Sequence, residues 1–496
     1  MERKTVSNIF SGYDDVDFMG ISYNNNGFNI STSKSDANDD SLLFITEKAN
    51  GTSLPLDTSM LKSKPLAIVA SKAQTVLPST YPTIRVGNAR VALAYALSNF
   101  YGINYDKIKI IGITGTNGKT TTATLIYKIL MGCGYKVGFI GTGKIEIAGK
   151  TVTSSEYSMT TPDPTKLYPA ISDMINAGCE YLVMEVSSHS IALGKVAPIK
   201  FEYAIFTNLD DEHLDFHNSK EEYFNTKLRL FRACKRGLFN IDDEYSRRAY
   251  ETLACDKSSF GIINQGDAYA TEIDISRIHG SSFYYRESGL IFKAQTNLVG
   301  AFNVYNSLAS LKCVIDLGIK PCIAKSELSK IKNIDGRMER IDGKISVIID
   351  YAHTPSAFYN SLKTIKQSIK AKQNMTVVFG CGGDRDKNKR PIFGKYASQI
   401  ADKIIITEDN CRMESFEAIV GDIILGIPRH DYEIIQDREE AIRYAIRSSR
   451  CGDAVAIIGK GHEKYKIVGN TYFPFDERKI VEDEMKKQNL LYENHT

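Results

Sequence analysis

The sequence predicts a three-domain α/β protein. A smaller N-terminal α/β domain is expected over residues 1–106 and a central P-loop-type domain, a parallel sheet with helices on both faces, over 107–335. A C-terminal doubly wound, Rossmann-like domain follows over 336–496. Three observations predict this. The length of 496 residues corresponds to about three ordinary cores. From residue 107 onward, short β-branched runs alternate with amphipathic stretches, the pattern of a parallel sheet covered by helices. The alternation breaks once, around "NIDGRMERIDGK", and then resumes.

In the first domain, "SLLFI" and "LAIVA" read as strands among polar segments such as "NNNGFNISTSKSDANDD". The central series is "KIKIIGI", "KVGFIG", "EYLVMEV", "YAIFTNL" and "GLFNI", closed by the helical "NVYNSLASLKCVIDL". The last series is "ISVIID", "MTVVFG", "KIIIT" and "DAVAIIG". Ligands of such sheets sit beyond the carboxyl ends of the strands. The unusual polar clusters fall there: 115–121, 185–189, 208–217, 350–353, 380–386, 409–412 and 459–463.

Composition narrows the class. Hydrophobic residues make up 43% and charged residues 24%, which excludes a wholly disordered or collagen-like chain. The net charge of +3 arises from 62 basic and 59 acidic side chains, so nucleic acid and anionic membrane surfaces are not expected partners. The nine cysteines are scattered and never spaced as C-x-x-C, which argues against a disulfide framework or structural zinc. No signal peptide and no run of roughly 18 apolar residues stands out. A cytoplasmic, monomeric protein without membrane insertion is expected.

"IIGITGTNGKTTTATLI" (110–126) carries the first chemical signal. A Gly-rich turn between strand and helix exposes backbone N–H groups at the positive helix end, and Lys119 there can reach terminal phosphates. Gly115, Thr116, Asn117, Gly118, Thr120 and Thr121 complete the loop, with a threonine hydroxyl available to a phosphate-bridging magnesium ion. The common P-loop spacing has a further glycine where this chain has Ile113. A plain strand-turn-helix connection with capping threonines is the competing reading.

This shortened loop resembles that of the Mur ligase family, ATP-dependent enzymes that join amino acids to carboxylates. "MEVSSHS" (184–190), "FTNLDDEHLDFHNSKEEYFNTKLRLF" (206–231), "TTPDP" (160–164), "GCGGDRDKNKRP", "TEDNCR" and "GKGHEKY" are similar to segments of the family, over about residues 85–480. They favour the member that adds the third, diamino residue of the peptidoglycan stem peptide. The resemblance implies ATP and Mg2+ as cofactors, and UDP-N-acetylmuramoyl-L-alanyl-D-glutamate and a diamino acid as substrates. It further implies that Glu185, Thr120 and His213 hold magnesium and that Lys227 carries a carbamate, so that Lys119, Lys227 and His213 form the catalytic set.

By the same resemblance Asn240, Asn303, Arg337 and Asp350 contact ATP, with His353 beside Asp350 left unassigned. Thr160, Thr161, Ser187 and Lys195 contact the UDP substrate, together with Asn25 near the position of a family serine. Arg385, Asp409, Asn410, Arg412, Gly459 and Glu463 bind the amino acid. Taken singly, Glu185 also reads as a cap, Lys227 as a solvated helix lysine, Arg337 as a linker salt bridge, and Asn240 and Asn303 as turn and helix-start residues.

Family members selecting meso-diaminopimelate carry Asp-Asn-Pro-Arg where this chain has Asp409-Asn410-Cys411-Arg412. A buried arginine wants a second carboxylate, so diaminopimelate is expected before ornithine or lysine. A folylpolyglutamate synthetase-like ligase and a non-catalytic nucleotide-binding scaffold are the remaining readings.

Overall fold

The computed structural model describes residues 5–19, 27–46, 61–74, 77, 80–152, 159–212, 216–277, 279–428 and 432–491. Three sheets succeed one another along the chain. The first has five strands in the order Val16–Met19, Thr83–Val86, Ala67–Ser71, Ser41–Ile45, Asn29–Ser31, parallel except for Val16–Met19. "SLLFI" and "LAIVA" are its buried strands.

The second sheet has eleven strands. Its parallel centre runs Cys234–Asn240, Phe201–Phe206, Lys109–Thr114, Tyr181–Glu185, Val137–Gly141. All five expected strands are here. The antiparallel meander Ala268–Arg277, Gly280–Glu287, Leu290–Thr296 extends one edge and was not evident from the alternation pattern, because its mixed polar runs bury only one face.

Side-chain alternation explains how two helical layers are served. Ile110 enters the apolar cluster on one face, while Ile111 and Ile113 enter the other with helices Lys119–Gly132 and Ala301–Asp316. The first face is continuous with the core of the five-stranded sheet, joined through helix Ala89–Phe100 against helix Pro164–Asn176.

The third sheet is ordered Glu339–Asp342, Ser346–Asp350, Ala454–Ile458, Met375–Phe379, Lys403–Ile406, Tyr432–Ile434, parallel except for the first strand. Val455 and Ile457 pack on helices Arg438–Ser448 and Glu477–Lys487, and Ala454, Ala456 and Ile458 face the opposite layer. Both faces are therefore covered, as a doubly wound sheet requires. A hairpin, Tyr465–Val468 and Thr471–Pro474, stands apart from the three sheets. Among the described residues no helix is long and apolar enough to cross a membrane.

Candidate active site

The phosphate loop leaves strand Lys109–Thr114 and enters helix Lys119–Gly132. Both glycines are dictated by space and conformation. Gly115 has φ of +143° and an added Cβ would lie 1.9 Å from Thr207 Oγ1; Gly118 has φ of +83° and would meet Asn306 Oδ1 at 2.5 Å. The loop is braced from the next strand end: Asn117 N donates to Asn208 Oδ1 at 2.9 Å, and Thr207 Oγ1 donates to Asn117 O at 2.6 Å. Lys119 Nζ donates to the carbonyls of Gly115 and Thr116, at 2.9 and 2.7 Å. Desolvation lowers its pKa, Glu212 and Glu185 oppose that shift, and Arg337 reinforces it.

Glu185 ends its strand fully buried. Its carboxylate accepts from Thr120 Oγ1 at 2.9 Å and from Thr142 N at 2.9 Å, and among the described residues no cation comes within ion-pair distance of it. A buried carboxylate that accepts from a hydroxyl and an amide, with no described cation in ion-pair contact, is an oxygen donor that suits Mg2+ beside phosphate. Glu185 and Thr120 fit that ion. No cluster of three His, Cys, Asp or Glu side chains forms a ready-made metal centre among the described residues.

Lys227 projects from helix Lys220–Phe231 with 1% exposure, 4.3 Å from the centre of the Tyr223 ring, and donates to Gly115 O at 3.1 Å. Burial first and repulsion from Lys119 second hold its pKa well below the ordinary lysine value, against the opposing pull of Glu212. His213 and Asn25 lie outside the described residues.

A cavity of about 620 Å³ lies between the second and third sheets. Of the residues assigned to ATP, Thr116, Asn117, Gly118, Lys119, Thr120, Thr121, Asn240, Asn303, Arg337 and Asp350 line it, and Glu185 and Thr160 join them. Arg337 lies with its guanidinium 4.4 Å from the centre of the Tyr351 ring and donates from Nη2 to Thr120 Oγ1 at 3.0 Å. The other assigned side chains face the protein. The Asn303 amide donates to Val299 O and accepts from Asn306 Nδ2; the Asn240 amide donates to Thr207 O and accepts from Asp242 N. Asp350 accepts from Met338 N, Tyr351 N and Ser361 Oγ, and burial raises its pKa against these bonds.

Thr160, Thr161 and Ser187 meet beside Glu185. Thr142 Oγ1 donates to Thr160 Oγ1 at 3.1 Å, Thr161 Oγ1 donates to Glu185 O at 3.0 Å, and Ser187 N donates to Thr161 Oγ1 at 3.1 Å. Lys195 pairs with Asp163 at 2.6 Å.

A second, small hollow of about 40 Å³ holds Asp409 and Gly459, and Ala352 and His353 line both spaces. Arg385 is exposed and makes no hydrogen bond or ion pair with any described residue. Arg412 adopts the left-handed region at φ of +52°, pinned to the hairpin by Arg412 N donating to Ile467 O at 3.3 Å and Gly469 N donating to Arg412 O at 2.9 Å. Its Nη1 donates to Gly383 O at 2.7 Å. Asn410 Nδ2 donates to Glu463 Oε2 at 2.9 Å.

Residues 113–314 match the Mur ligase middle domain and residues 336–461 the Mur ligase, glutamate ligase domain. The UDP-N-acetylmuramoyl-L-alanyl-D-glutamate--2,6-diaminopimelate ligase 1 of Clostridium acetobutylicum is 39% identical over 424 residues, covering 85% of this chain and 86% of that protein. The ligase of the same name, without the numeral, from Clostridium perfringens is 42% identical over 409 residues, covering 81% and 83%. The chain belongs to the Mur ligase family. A solved structure of a UDP-N-acetylmuramoyl-L-alanyl-D-glutamate--2,6-diaminopimelate ligase superposes with a TM-score of 0.68 at 25% identity, covering 98% of this chain and 99% of that one.

Sequence reasoning passed over several residues that organise this Mur ligase's site. Arg390 is buried, gripping Glu414 with both terminal nitrogens and also donating to Asp422 and Gly382 O, which shapes the loop that carries Arg385. Lys460 is buried among Asp409, Asn410 and Glu463. Glu212 meets His353 Nε2 at 2.8 Å and Ser356 donates to Asp210, so the acidic run 210–212 touches the third sheet's loops. Asp210, Glu212, Arg390 and Lys460 lie within segments that the sequence marks as unusual, without a signal for their individual roles, and Asn306 follows Asn303 by three residues on one helix face.

Proposed function

We propose that the chain is an ATP-dependent, ADP-forming ligase that adds meso-diaminopimelate to UDP-N-acetylmuramoyl-L-alanyl-D-glutamate for peptidoglycan synthesis. The observation that carries the reading is the shared wall: the phosphate-loop cavity and the hollow holding Asp409 and Gly459 meet at Ala352 and His353. Acyl activation and amine attack need that adjacency. Relatives so named, aligned over more than four fifths of both chains, support the substrate class.

ATP enters as substrate. The loop amides of 115–118 and Lys119 hold the phosphates, Arg337 neutralises their charge from the other side, and Asn240, Asn303 and Asp350 shape the enclosing wall. Magnesium, held by Thr120, Glu185 and His213, would supply charge neutralisation across the phosphates. Lys227 joins this set as a carbamate: burial and repulsion from Lys119 disfavour its ammonium form, and the amine left by loss of a proton can add to carbon dioxide to give an anion.

Thr160, Thr161, Ser187 and Lys195, with Asn25, hold the UDP substrate so that its D-glutamyl carboxylate meets the γ-phosphate. Transfer gives an acyl phosphate and ADP. The amine of the incoming residue then attacks, and the tetrahedral intermediate collapses to amide and phosphate. Preorganised charge and position supply most of the acceleration.

Arg385 and Arg412 take carboxylates, while Asp409, Asn410, Gly459 and Glu463 surround the amine end. Among the described residues only Nη1 of Arg412 is engaged by protein; Nε and Nη2 offered to a second carboxylate would favour diaminopimelate over ornithine or lysine. Ligation assays offering diaminopimelate, ornithine and lysine in parallel test this. Phosphate release that requires the UDP dipeptide and is fastest with diaminopimelate is expected; release independent of any diamine would overturn the ligase reading.

A further inference from the structure

Two segments of the amino-acid pocket come from separate strand ends, 407–412 after Lys403–Ile406 and 459–464 after Ala454–Ile458. One buried cation joins them. Lys460, with no exposed side-chain surface, donates to Asn410 Oδ1 at 2.8 Å and lies 3.5 Å from Asp409 Oδ1 and 3.4 Å from Glu463 Oε2. Asn410 Oδ1 also accepts from Ile467 N at 2.9 Å. With two donors on its oxygen, the amide cannot flip, and Nδ2 is turned onto Glu463. Lys460 itself sits between two glycines of positive φ, Gly459 and Gly461, and an added Cβ at Gly461 would lie 2.7 Å from Gly336 O. The loop therefore has no room for a side chain at Gly461.

We propose that Lys460 is the positioning residue of the amino-acid pocket, holding Asn410 and the Glu463 carboxylate so that Glu463, as an anion, receives the distal ammonium of the incoming diamino acid. This rests on the assignment of Asn410 and Glu463 to that pocket. Full burial keeps the ammonium from acting on substrate directly, so its effect passes through Glu463.

The charge balance agrees with the geometry. The groups facing Glu463 are Lys460 on its own loop, Asp409 and Asn410 across from it, Arg438 of helix Arg438–Ser448, and Tyr351 beyond strand Ser346–Asp350. Burial drives the Glu463 carboxyl upward and Asp409 adds to this, while Lys460 opposes both. Without Lys460 the upward push of burial and Asp409 loses its largest opposing interaction, so the carboxylate form that attracts an ammonium group is disfavoured further.

The test uses the full-length enzyme and steady-state KM values for diaminopimelate, ATP and the UDP dipeptide from neutral to alkaline pH. Lys460→Met is expected to raise the diaminopimelate KM at neutral pH by about tenfold or more, to leave the other two within about twofold, and to move the fall in amino-acid binding to higher pH. Glu463→Gln should raise the same KM, and the double variant should match Glu463→Gln alone. Three KM values rising together on an unshifted pH profile would overturn the proposal, as would a double variant about tenfold worse than Glu463→Gln. If Lys460→Met does not fold, the double variant, which removes one charge of each sign, decides by the same comparison. An unchanged diaminopimelate KM in Glu463→Gln overturns the pocket assignment itself. A raised KM there beside an unchanged one in Lys460→Met overturns only the role of Lys460.

Discussion

Arg337 donates from Nη2 to the hydroxyl of Thr120 at 3.0 Å, and 217 residues of chain separate the two. This bond, with Glu212 to His353 and Ser356 to Asp210, draws the third sheet's loops onto the phosphate loop of the second. Each partner belongs to a segment that was legible by itself, and their meeting creates the cavity.

Arg337→Ala removes a charged donor aimed into that cavity. Hydrogen bonds to charged groups contribute about 1.5–3 kcal/mol, so the ATP KM should rise by roughly tenfold or more. The diaminopimelate KM at saturating ATP serves as control. An equal rise in both would mean that the arginine acts on the fold instead.

Lys227 in its uncharged form should take up carbon dioxide. Enzyme prepared in carbon dioxide-depleted buffer is expected to lose most of its turnover and to regain it with added bicarbonate. With ¹³C-bicarbonate, a carbamate resonance should be present in the wild type and missing in Lys227→Arg, whose guanidinium cannot form one. Full turnover without bicarbonate would count against the carbamate.

His462 links stability to pH. Burial, reinforced by Arg337, His353 and Lys464, pushes its pKa down to about 3. In the unfolded chain it is about 6.5, so between these values the unfolded state binds the proton that the folded state refuses. Its contribution is fully present above about pH 6.5 and is lost as pH falls toward about 3, an effect of at most on the order of 5 kcal/mol. His462 Nδ1 is buried with no hydrogen-bond partner among the described residues, so His462→Phe sacrifices no bond seen at that nitrogen. Urea midpoints should fall less steeply with acid in that variant than in the wild type; parallel curves would refute the assignment.

Cys411 stands where family members selecting diaminopimelate carry proline. Its amide makes no hydrogen bond among the described residues, and its neighbour Arg412 is held by backbone bonds to the hairpin. Cys411→Pro is therefore expected to be neutral or to stabilise by up to about 1 kcal/mol, with the preference for diaminopimelate kept. Thermal melting and the three-amine ligation assay check it. A large loss of stability would show that the chain at residue 411 cannot accept the proline backbone.

Local physics made much of this chain readable. Runs such as "KIKIIGI" and "DAVAIIG" are strands because β-branched side chains suit a pleat buried on both faces, and Gly115 and Gly118 are glycines because the loop needs positive φ and close approach. Lys119 and Thr120 at the helix start followed from that turn. Other decisions required the folded chain. Whether the amides of Asn240 and Asn303 point at a ligand or at neighbouring backbone depends on acceptors brought in by packing, and here both ends of each are engaged by protein. Lys460 looked like one lysine in a glycine-rich turn until Asp409 and Asn410, some fifty residues earlier, closed over it. The sequence by itself determined the buried parallel strands, the phosphate loop and the family, since these depend on steric preferences over a few neighbouring residues, whereas the half-exposed meander of residues 268–296 emerged only in the fold. The tertiary structure alone decided which charges are buried together, because that depends on side chains distant in sequence sharing one desolvated space.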